Sequence, residues 1–155
     1  MRIAIVAVGR LGRAPEAELA RSYAERAGAA GRALGLGPVE IIEVEARKPG
    51  REAEGAVLLG AVPAGGHLIA CDEQGAAWPS RGFADRIAAL RDRGVRHISF
   101  MIGGADGLSD EAKAAAAERL AFGPQTWPHA LVRAMLAEQV YRAVTILGGS
   151  PYHRD

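Results

Sequence analysis

Cysteine and lysine are scarce in this sequence of 155 residues, which contains one cysteine, Cys71, and only two lysines, Lys48 and Lys113. A single cysteine excludes a disulfide within the chain and argues against a cysteine-based metal site, so we expect no metal. Arginine supplies the other basic side chains. The chain is also rich in alanine and glycine, so the preference for arginine over lysine fits a compositional habit of the source better than selection for phosphate binding. Arginine is compatible with either explanation.

Strong charge of one sign and long apolar runs are also absent. The net charge is +1, so overall charge gives no reason to expect nucleic acid or membrane binding, but it does not exclude a local basic patch. The apolar run near the N-terminus, at residues 3–8, is far too short for a signal peptide or a membrane span. We expect a cytoplasmic protein with no membrane partner.

Alternating strand and helix patterns organise the first hundred residues. A continuous apolar run rich in β-branched residues predicts a buried strand at residues 3–8, and further strands are predicted at 39–44, 67–71 and 96–102. Helical spacing predicts helices at 15–34 and 80–90, the second capped by Ser80 and ended by Gly94. Residues 45–65 favour a loop followed by a short helix. This alternation predicts a parallel α/β sheet covered on both faces.

The chain shows no repeat, low-complexity segment or linker, so we expect a single domain over residues 1–155. In parallel α/β sheets, ligands bind at the carboxyl ends of the strands. The segments expected at such ends are Cys71 with Asp72, which begin a predicted loop over residues 72–79, and Gly103 with Gly104. The loop from Phe122 to Trp127 is a third candidate.

The segment GGADG, at residues 103–107, lies between a predicted strand and a helix capped by Ser109. Its glycines allow close approach of the main chain to a ligand. Its order is not GxGxxG, and no Gly-Lys-Ser/Thr follows, so neither common nucleotide-binding motif is present. Taken alone, the segment suits a tight turn as well as a ligand loop, and a nucleotide-binding enzyme remains a rival hypothesis.

A last amphipathic helix is predicted over residues 128–147. One apolar stripe contains Val132, Leu136, Val140, Val144 and Leu147. Most of the other side is polar, with His129, Arg133, Glu138, Tyr141, Arg142 and Thr145. Glu138 and Arg142 are four residues apart and can pair. By themselves these residues favour a solvated face over a surface aimed at a substrate or a partner chain.

Four segments resemble the RlmH family of SPOUT-superfamily methyltransferases: IAIVAVGR, IGGADGLS, TWPHALVRAMLAEQVYRA and the terminal SPYHRD. The resemblance spans the whole chain. It implies a parallel-sheet SPOUT fold with a C-terminal deep trefoil knot, an exception to the rule against threaded chains. It also implies S-adenosylmethionine as cofactor and methylation of N3 of a pseudouridine in large-subunit rRNA within the assembled ribosome. The family forms homodimers, in which the last helix and tail of one subunit complete the partner's site.

The resemblance also implies two sets of site residues. The cofactor pocket is expected to include Cys71, Asp72, Gly103, Gly104, Phe122, Gly123, Pro124, Gln125, Thr126, Trp127 and Pro128. The catalytic residues are expected to be His153, Arg154, Tyr152, Arg142, His129 and Glu138. His153 is the first candidate for the base that removes the N3 proton, and His129 is the second. Arg142 and Arg154 would stabilise charge or hold phosphate, Tyr152 would stack on the base, and Glu138 would orient Arg142 or Arg133.

Two positions depart from the family pattern. Ala105 stands where the family often has proline, and the cofactor loop reads FGPQTWPH where the family usually has a segment like LSxMTxPH. Pro124 removes a main-chain donor, and Trp127 is bulky. These departures leave open a second rival, a ribosome-associated binding protein that keeps the fold without catalysis.

Overall fold

A parallel sheet forms the centre of the computed structural model, which describes residues 1–154. Its strands are β1 (Arg2–Val8), β2 (Val39–Val44), β3 (His67–Ala77), β4 (His97–Ile102) and β5 (Glu118–Ala121), in the order β2-β1-β4-β3-β5. The helices are α1 (Pro15–Gly31), extended by a short 3₁₀ turn, α2 (Arg51–Ala61), α3 (Ser80–Asp92), α4 (Asp110–Ala115) and α5 (His129–Leu147). This architecture confirms the predicted α/β fold.

Each face of the sheet is covered by its own helices, which explains why β1 is apolar from Ile3 to Val8. Ile3 and Ile5 point into a core formed with α1, α3 and α5, whereas Ala4 and Val6 point into a second core with α2 and α4. Successive side chains of a strand point to opposite faces, so a strand covered on both sides needs apolar residues at every position.

The third strand is longer than its sequence pattern predicts. Residues 72–77 were expected to form a loop, but they continue β3 because β5 pairs alongside them. The register of this pairing shifts between Cys71 and Ala76, and a Cβ atom at Gly75 would lie 2.6 Å from the carbonyl carbon of Arg119. Glycine at this position therefore allows the two strands to approach each other across the irregularity.

The helix boundaries bear out one predicted cap and contradict another. The backbone N–H of Ala112 donates to the Ser109 hydroxyl over 3.1 Å, as expected for the start of α4. The predicted cap by Ser80 is wrong, since Pro79 precedes α3 and no side chain caps it. The Ser80 hydroxyl instead donates to Oε1 of Gln139 over 2.9 Å, which links α3 to α5.

Arg133 corrects the predicted polar face of the last helix, because its side chain is only 1% exposed. Its guanidinium donates to Oε1 of Glu43 over 2.8 Å and to the carbonyls of Val8 and Gly9 over 3.1 and 3.0 Å. Thr145 is also buried. Burial lowers the pKa of Arg133, and the charge of Glu43 opposes this shift. Arg133 thus joins α5 to the carboxyl ends of β1 and β2.

We predict that Arg133→Ala lowers the free energy of unfolding by about 2 to 4 kcal/mol, because it leaves two carbonyls and a partly buried carboxylate without their partner. Urea denaturation measures this change. Arg2→Ala is the control, since it removes an exposed pair with Glu40 and should change stability by less than about 1 kcal/mol. Equal, small effects of the two substitutions would contradict the structural role of Arg133.

Candidate active site

A cavity of about 780 Å³ lies at the carboxyl ends of β3, β4 and β5. The structure brings all three predicted segments to its wall. These contribute Cys71, Asp72, Gly103, Gly104, Phe122, Gly123, Gln125, Thr126, Trp127 and Pro128. Pro124 is the one residue of the expected cofactor set that does not line this cavity. Strands that all run in one direction end at one edge, which is why segments distant in sequence meet here.

The wall made by residues 103–107 is a tight turn. The N–H of Gly107 donates to the carbonyl of Gly104 over 3.0 Å, and Gly107 has a φ of +77°. A Cβ at Gly103 would lie 2.6 Å from the carbonyl carbon of Gly107, and a Cβ at Gly104 would lie 2.8 Å from Oε2 of Glu54. Gly103 and Gly107 therefore require glycine, whereas a side chain at Gly104 would require the Glu54 carboxylate to move. The turn presents main chain at the cavity wall.

Asp72 supplies negative charge inside the cavity. Its carboxylate is largely buried, lies 3.6 Å from Nζ of Lys113 and 3.5 Å from Nη1 of Arg119, and accepts from the backbone N–H of Gln74 over 3.2 Å. Burial raises the pKa of the neighbouring Cys71 thiol to about 12, although the residue as a whole is only partly buried. The thiol therefore stays protonated at neutral pH and is a poor nucleophile.

The loop after β5 closes partly upon itself. The indole N–H of Trp127 donates to the carbonyl of Phe122 over 2.9 Å, and the hydroxyl of Thr126 donates to Glu73 over 3.2 Å. Trp127 remains 38% exposed at the rim. The bulky ring thus ties the end of the loop to its start, and it forms part of the cavity wall.

Several lining residues are not predicted from the sequence. Some, such as Ile102 and Leu108, directly adjoin predicted segments in the sequence. Their position next to residues 103–107 could have indicated that they also line the cavity. Arg51 and Lys113 reach the cavity from α2 and α4. No spacing rule indicates them, because their position depends on how those helices pack on the sheet.

Glu138, in the middle of α5, is the centre of a hydrogen-bonded cluster that extends into the second half of the helix. Its Oε1 accepts from Nη2 of Arg142 over 2.5 Å and from the Tyr152 hydroxyl over 3.0 Å, which confirms the predicted Glu138–Arg142 pair. Nη1 of Arg142 lies 3.2 Å from Nδ1 of His153. The hydrogen bond to Glu138 raises the pKa of Arg142. Burial, then contacts with Tyr23 and Glu138, raise the pKa of Tyr152. Both side chains therefore stay protonated.

Aromatic rings hold the tail against its own helix. The rings of Tyr141 and Tyr152 meet edge to face with centroids 4.7 Å apart, and Tyr23 lies 5.8 Å from Tyr141. The guanidinium of Arg26 lies 4.2 Å from the ring centre of Tyr141 and 5.1 Å from that of Tyr23. Sequence spacing does not indicate Arg26, because this contact joins α1, α5 and the tail.

The cavity adjoins the first turns of α5, whereas the cluster starts at the middle of this helix. At 1.5 Å per residue, His129 at the cavity lies about 20 Å from Arg142 of the cluster, and Val132 lies about 9 Å from Glu138. Of the candidate catalytic residues, the structure brings together Glu138, Arg142, Tyr152 and His153. His129 is separate from them, and Arg154 is exposed.

A second, mostly apolar groove of about 500 Å³ lies along α5 between these two regions. It is formed by side chains from α1, α3, α5 and the end of β3, including Leu19, Trp78, Leu131 and Met135. Leu19 is 47% exposed, which is unusual for a leucine beside the core. An exposed apolar groove of this kind marks a surface suited to another protein chain.

The described residues, 1–154, contain no helix long and apolar enough to cross a membrane. Within the same residues, no group of three or more histidine, cysteine or acidic side chains is placed to hold a metal ion.

Comparisons with known proteins give a consistent family. A family model described as predicted SPOUT methyltransferase matches residues 1–153. The solved structure of a probable methylase family protein from Haemophilus influenzae Rd KW20 has a TM-score of 0.53 and 13% identity, covering 99% of this chain and 70% of that chain. At this identity the likeness supports the fold alone.

Curated relatives are similar over their full length. The protein named ribosomal RNA large subunit methyltransferase H from Phenylobacterium zucineum (strain HLK1) is 68% identical over 100% of both chains. Proteins of the same name from Caulobacter vibrioides and Ruegeria pomeroyi are 64% and 52% identical, with at least 99% of each chain covered. The chain therefore belongs to the SPOUT methyltransferases and, within them, to the RlmH family, which makes it a methyltransferase enzyme.

Proposed function

We propose that this enzyme uses S-adenosylmethionine to methylate N3 of a pseudouridine in large-subunit rRNA, acting in the cytoplasm as a homodimer on the assembled ribosome. The observation that carries the proposal is the convergence of three separate segments, among them Asp72, Gly104 and Trp127, on one cavity. The name of the full-length relatives, ribosomal RNA large subunit methyltransferase H, supports the substrate class. The pattern of SPYHRD and its folded cluster support a role for the tail.

The cavity has the size and the polarity that S-adenosylmethionine requires. Its volume of about 780 Å³ falls within the usual range for small-molecule sites. Ile102, Leu120 and Val132 supply apolar wall that suits an adenine ring, whereas Asp72 and Lys113 supply charges that suit an ammonium and a carboxylate. The glycine turn allows main-chain hydrogen bonds to a ligand. Pro124 lacks an N–H but does not line the cavity, so its presence does not disturb this fit.

When bound, the cofactor supplies an electrophilic methyl group, so the protein has little acid–base chemistry to perform on it. The chain's own residues must position the acceptor base and favour loss of its N3 proton. We propose that Arg142 and Arg154 stabilise negative charge on the ring oxygens, and that Tyr152 stacks on or beside the base. Glu138 holds Arg142 and Tyr152 in place through Oε1.

The contact between Arg142 and His153 bears on which histidine accepts the proton. A guanidinium has no acceptor, so Nδ1 of His153 must accept from it, and neutral His153 then carries its hydrogen on Nε2. In this arrangement His153 serves as a donor to the base oxygens. It can act as the base only after the contact breaks, which gives His129, at the cavity, the stronger claim to that role.

We infer the homodimer from the separation of the proposed reactive groups. His129 at the cavity and Arg142 lie about 20 Å apart along the stiff helix α5, so Arg142 does not reach the His129 side of the cavity of its own chain. A second copy packed in the opposite direction on the apolar groove would bring its Tyr152 and Arg154 towards the first copy's cavity. The groove lies along α5 between the two regions, as such packing requires.

We also propose that the chain forms the deep trefoil knot that the family resemblance implies. After β5, at the sheet edge beyond β3, the chain must return to place α5 against α1 and α3. Residues 122–128 make this return across the strand ends, beside Gly103 and Gly104. Pulling on both ends in single-molecule experiments should leave an extended length shorter than that of a free chain. The full length of an unknotted chain would refute the knot.

The proposed reaction is tested with ribosomes and with rRNA stripped of protein. We expect methyl incorporation at one pseudouridine, with faster turnover on ribosomes. Arg142→Ala should lower kcat/KM about 100-fold while the affinity for S-adenosylmethionine, measured by calorimetry, stays unchanged. Arg32→Ala, an exposed arginine at the far end of α1, is the control.

Equal rates on ribosomes and on bare rRNA would contradict the substrate assignment. Failure of the wild-type protein to bind S-adenosylmethionine at all would favour a ribosome-associated binding protein over an enzyme.

The shared site is tested with purified heterodimers of two inactive variants. One subunit carries Gly103→Val, whose side chain would collide with the main chain of Gly107 and so disrupt the turn at the cavity wall, and the other carries His153→Ala with Arg154→Ala. One of the two sites then combines the intact cavity of the second subunit with the intact tail of the first. We therefore expect about half the wild-type activity, while each mutant homodimer is inactive. Sedimentation verifies that every variant is a folded dimer. An inactive, folded heterodimer would mean that each chain completes its own site.

A further inference from the structure

Two basic loops lie side by side next to the cavity, one after β1 (residues 9–14) and one after β2 (residues 45–50). Together they carry four cations, Arg10, Arg13, Arg47 and Lys48, and one carboxylate, Glu45. Their net charge is therefore +3, although the whole chain carries only +1. The two loops thus carry a local excess of positive charge, bordered by acidic residues in the first turns of α1 and α2.

Parallel pairing of the first two strands places the loops together. Val8 pairs with Val44, and the N–H of Gly9 donates to the carbonyl of Val44 over 2.8 Å. Nε of Arg10 lies 3.2 Å from Oε2 of Glu45, which connects the two loops directly. The basic loops therefore form one continuous surface.

The first loop is held in a defined shape. The buried guanidinium of Arg133 donates to the carbonyl of Gly9, and Glu43, its ion-pair partner, lies 3.4 Å from the N–H of Leu11. Nη1 of Arg21 donates to the carbonyl of Gly12 over 3.4 Å. A loop anchored at successive positions presents its charges with little further ordering on binding.

The cations of the basic loops are open to solvent, and most of them are uncompensated. Arg13, Arg47 and Lys48 are exposed, and none forms an ion pair within residues 1–154. Arg10 pairs with Glu45, yet its side chain is 75% exposed. Arg13, Arg47 and Lys48 therefore form no ion pair that stabilises the fold, which distinguishes them from Arg133.

The basic surface continues to the rim of the cavity. Arg51, the first residue of α2, directly follows the second loop and lines the cavity together with Asp106. A polyanion that extends from the cavity along the sheet edge would thus meet the basic loops next.

We propose that the basic loops bind phosphates of the rRNA backbone on one side of the target nucleotide. This proposal rests on the proposed function, since it takes the cavity to be where the methyl donor meets the RNA. Arginine forks and the point charge of lysine suit phosphate oxygens. Such contacts set the position of the RNA without reading its sequence. They explain how a protein of net charge +1 holds a polyanion: the attraction is local and adjoins the reaction site.

The test removes the three uncompensated cations in one variant, Arg13→Ala/Arg47→Ala/Lys48→Ala. We expect KM for ribosomes to rise at least tenfold while kcat stays within twofold. A plot of log affinity against log salt concentration should become shallower by about two, because each lost phosphate contact removes roughly 0.7 from the slope for single-stranded nucleic acid. The matched control is Arg32→Ala/Arg93→Ala/Arg96→Ala, which removes three exposed arginines at the opposite end of the sheet and should leave KM and slope unchanged.

Three outcomes would overturn the proposal. Unchanged KM and salt slope would show that the basic loops do not touch the substrate. Weaker binding of S-adenosylmethionine by the variant, measured by calorimetry, would assign these residues to the cofactor site. A higher KM with an unchanged salt slope would indicate contact with a ribosomal protein surface instead of phosphates.

Failure of the proposed function can be distinguished from failure of this proposal. If the wild-type protein methylates nothing, co-sedimentation with ribosomes at several salt concentrations still reports on the basic loops. Weaker sedimentation of the triple variant than of its matched control would support phosphate binding, and equal sedimentation would overturn it.

Discussion

In a parallel sheet every strand ends at the same edge, and each return to the start of the next strand must cross one of the two faces. Here α1, α3 and α5 cover one face, and α2 and α4 cover the other. Three segments that are distant in sequence therefore meet at a single edge of the sheet: the turn at Gly103, the irregular end of β3 and the loop after β5. The same rule places the loops after β1 and β2 beside them. Parallel pairing thus determines the position of the cavity and of the basic loops together.

The last helix links that edge to the other half of the proposed site. Near its start, Arg133 holds the carbonyls at the end of β1, and from its middle onwards Glu138 and Arg142 hold the tail. A helix is stiff over this distance, so the two regions keep a fixed separation in each chain. Under the proposed function, joint action of Arg142 and His129 on one base would therefore use residues from two copies. Dimerisation would then be needed to bring the catalytic residues together, in addition to any effect on stability.

Sequence patterns predict those parts of the structure that depend on local periodicity. β1 and β2 each contain four β-branched apolar residues, and their bounds in the structure differ from the predicted ones by at most one residue. β5 escapes prediction because two of its four residues, Glu118 and Arg119, are charged and its pairing depends on β3. Arg133 belongs to a helix face that reads as polar. Its burial arises only because the end of β1 and Glu43 surround it in three dimensions.

The candidate site shows the same division. Motif resemblance indicates the residues of the cavity and the tail, because those segments carry recognisable patterns of glycine, proline, histidine and arginine. It does not indicate Arg26, whose guanidinium packs on tyrosine rings from α1 and α5, nor Arg51 and Lys113, which reach the cavity from other helices. Such residues become evident only when tertiary packing brings them to the site.

The order of the tail is itself an argument for its proposed role. Terminal residues are usually mobile, because few contacts offset the entropy lost on fixing them. Tyr152 is nevertheless held by the ring of Tyr141 and by a hydrogen bond to Glu138, and His153 is held by Arg142. The adjacent Arg154 stays exposed. Because the tail is already ordered, it loses little further conformational entropy when it binds a ligand. Such order favours the precise positioning of a base that methyl transfer requires.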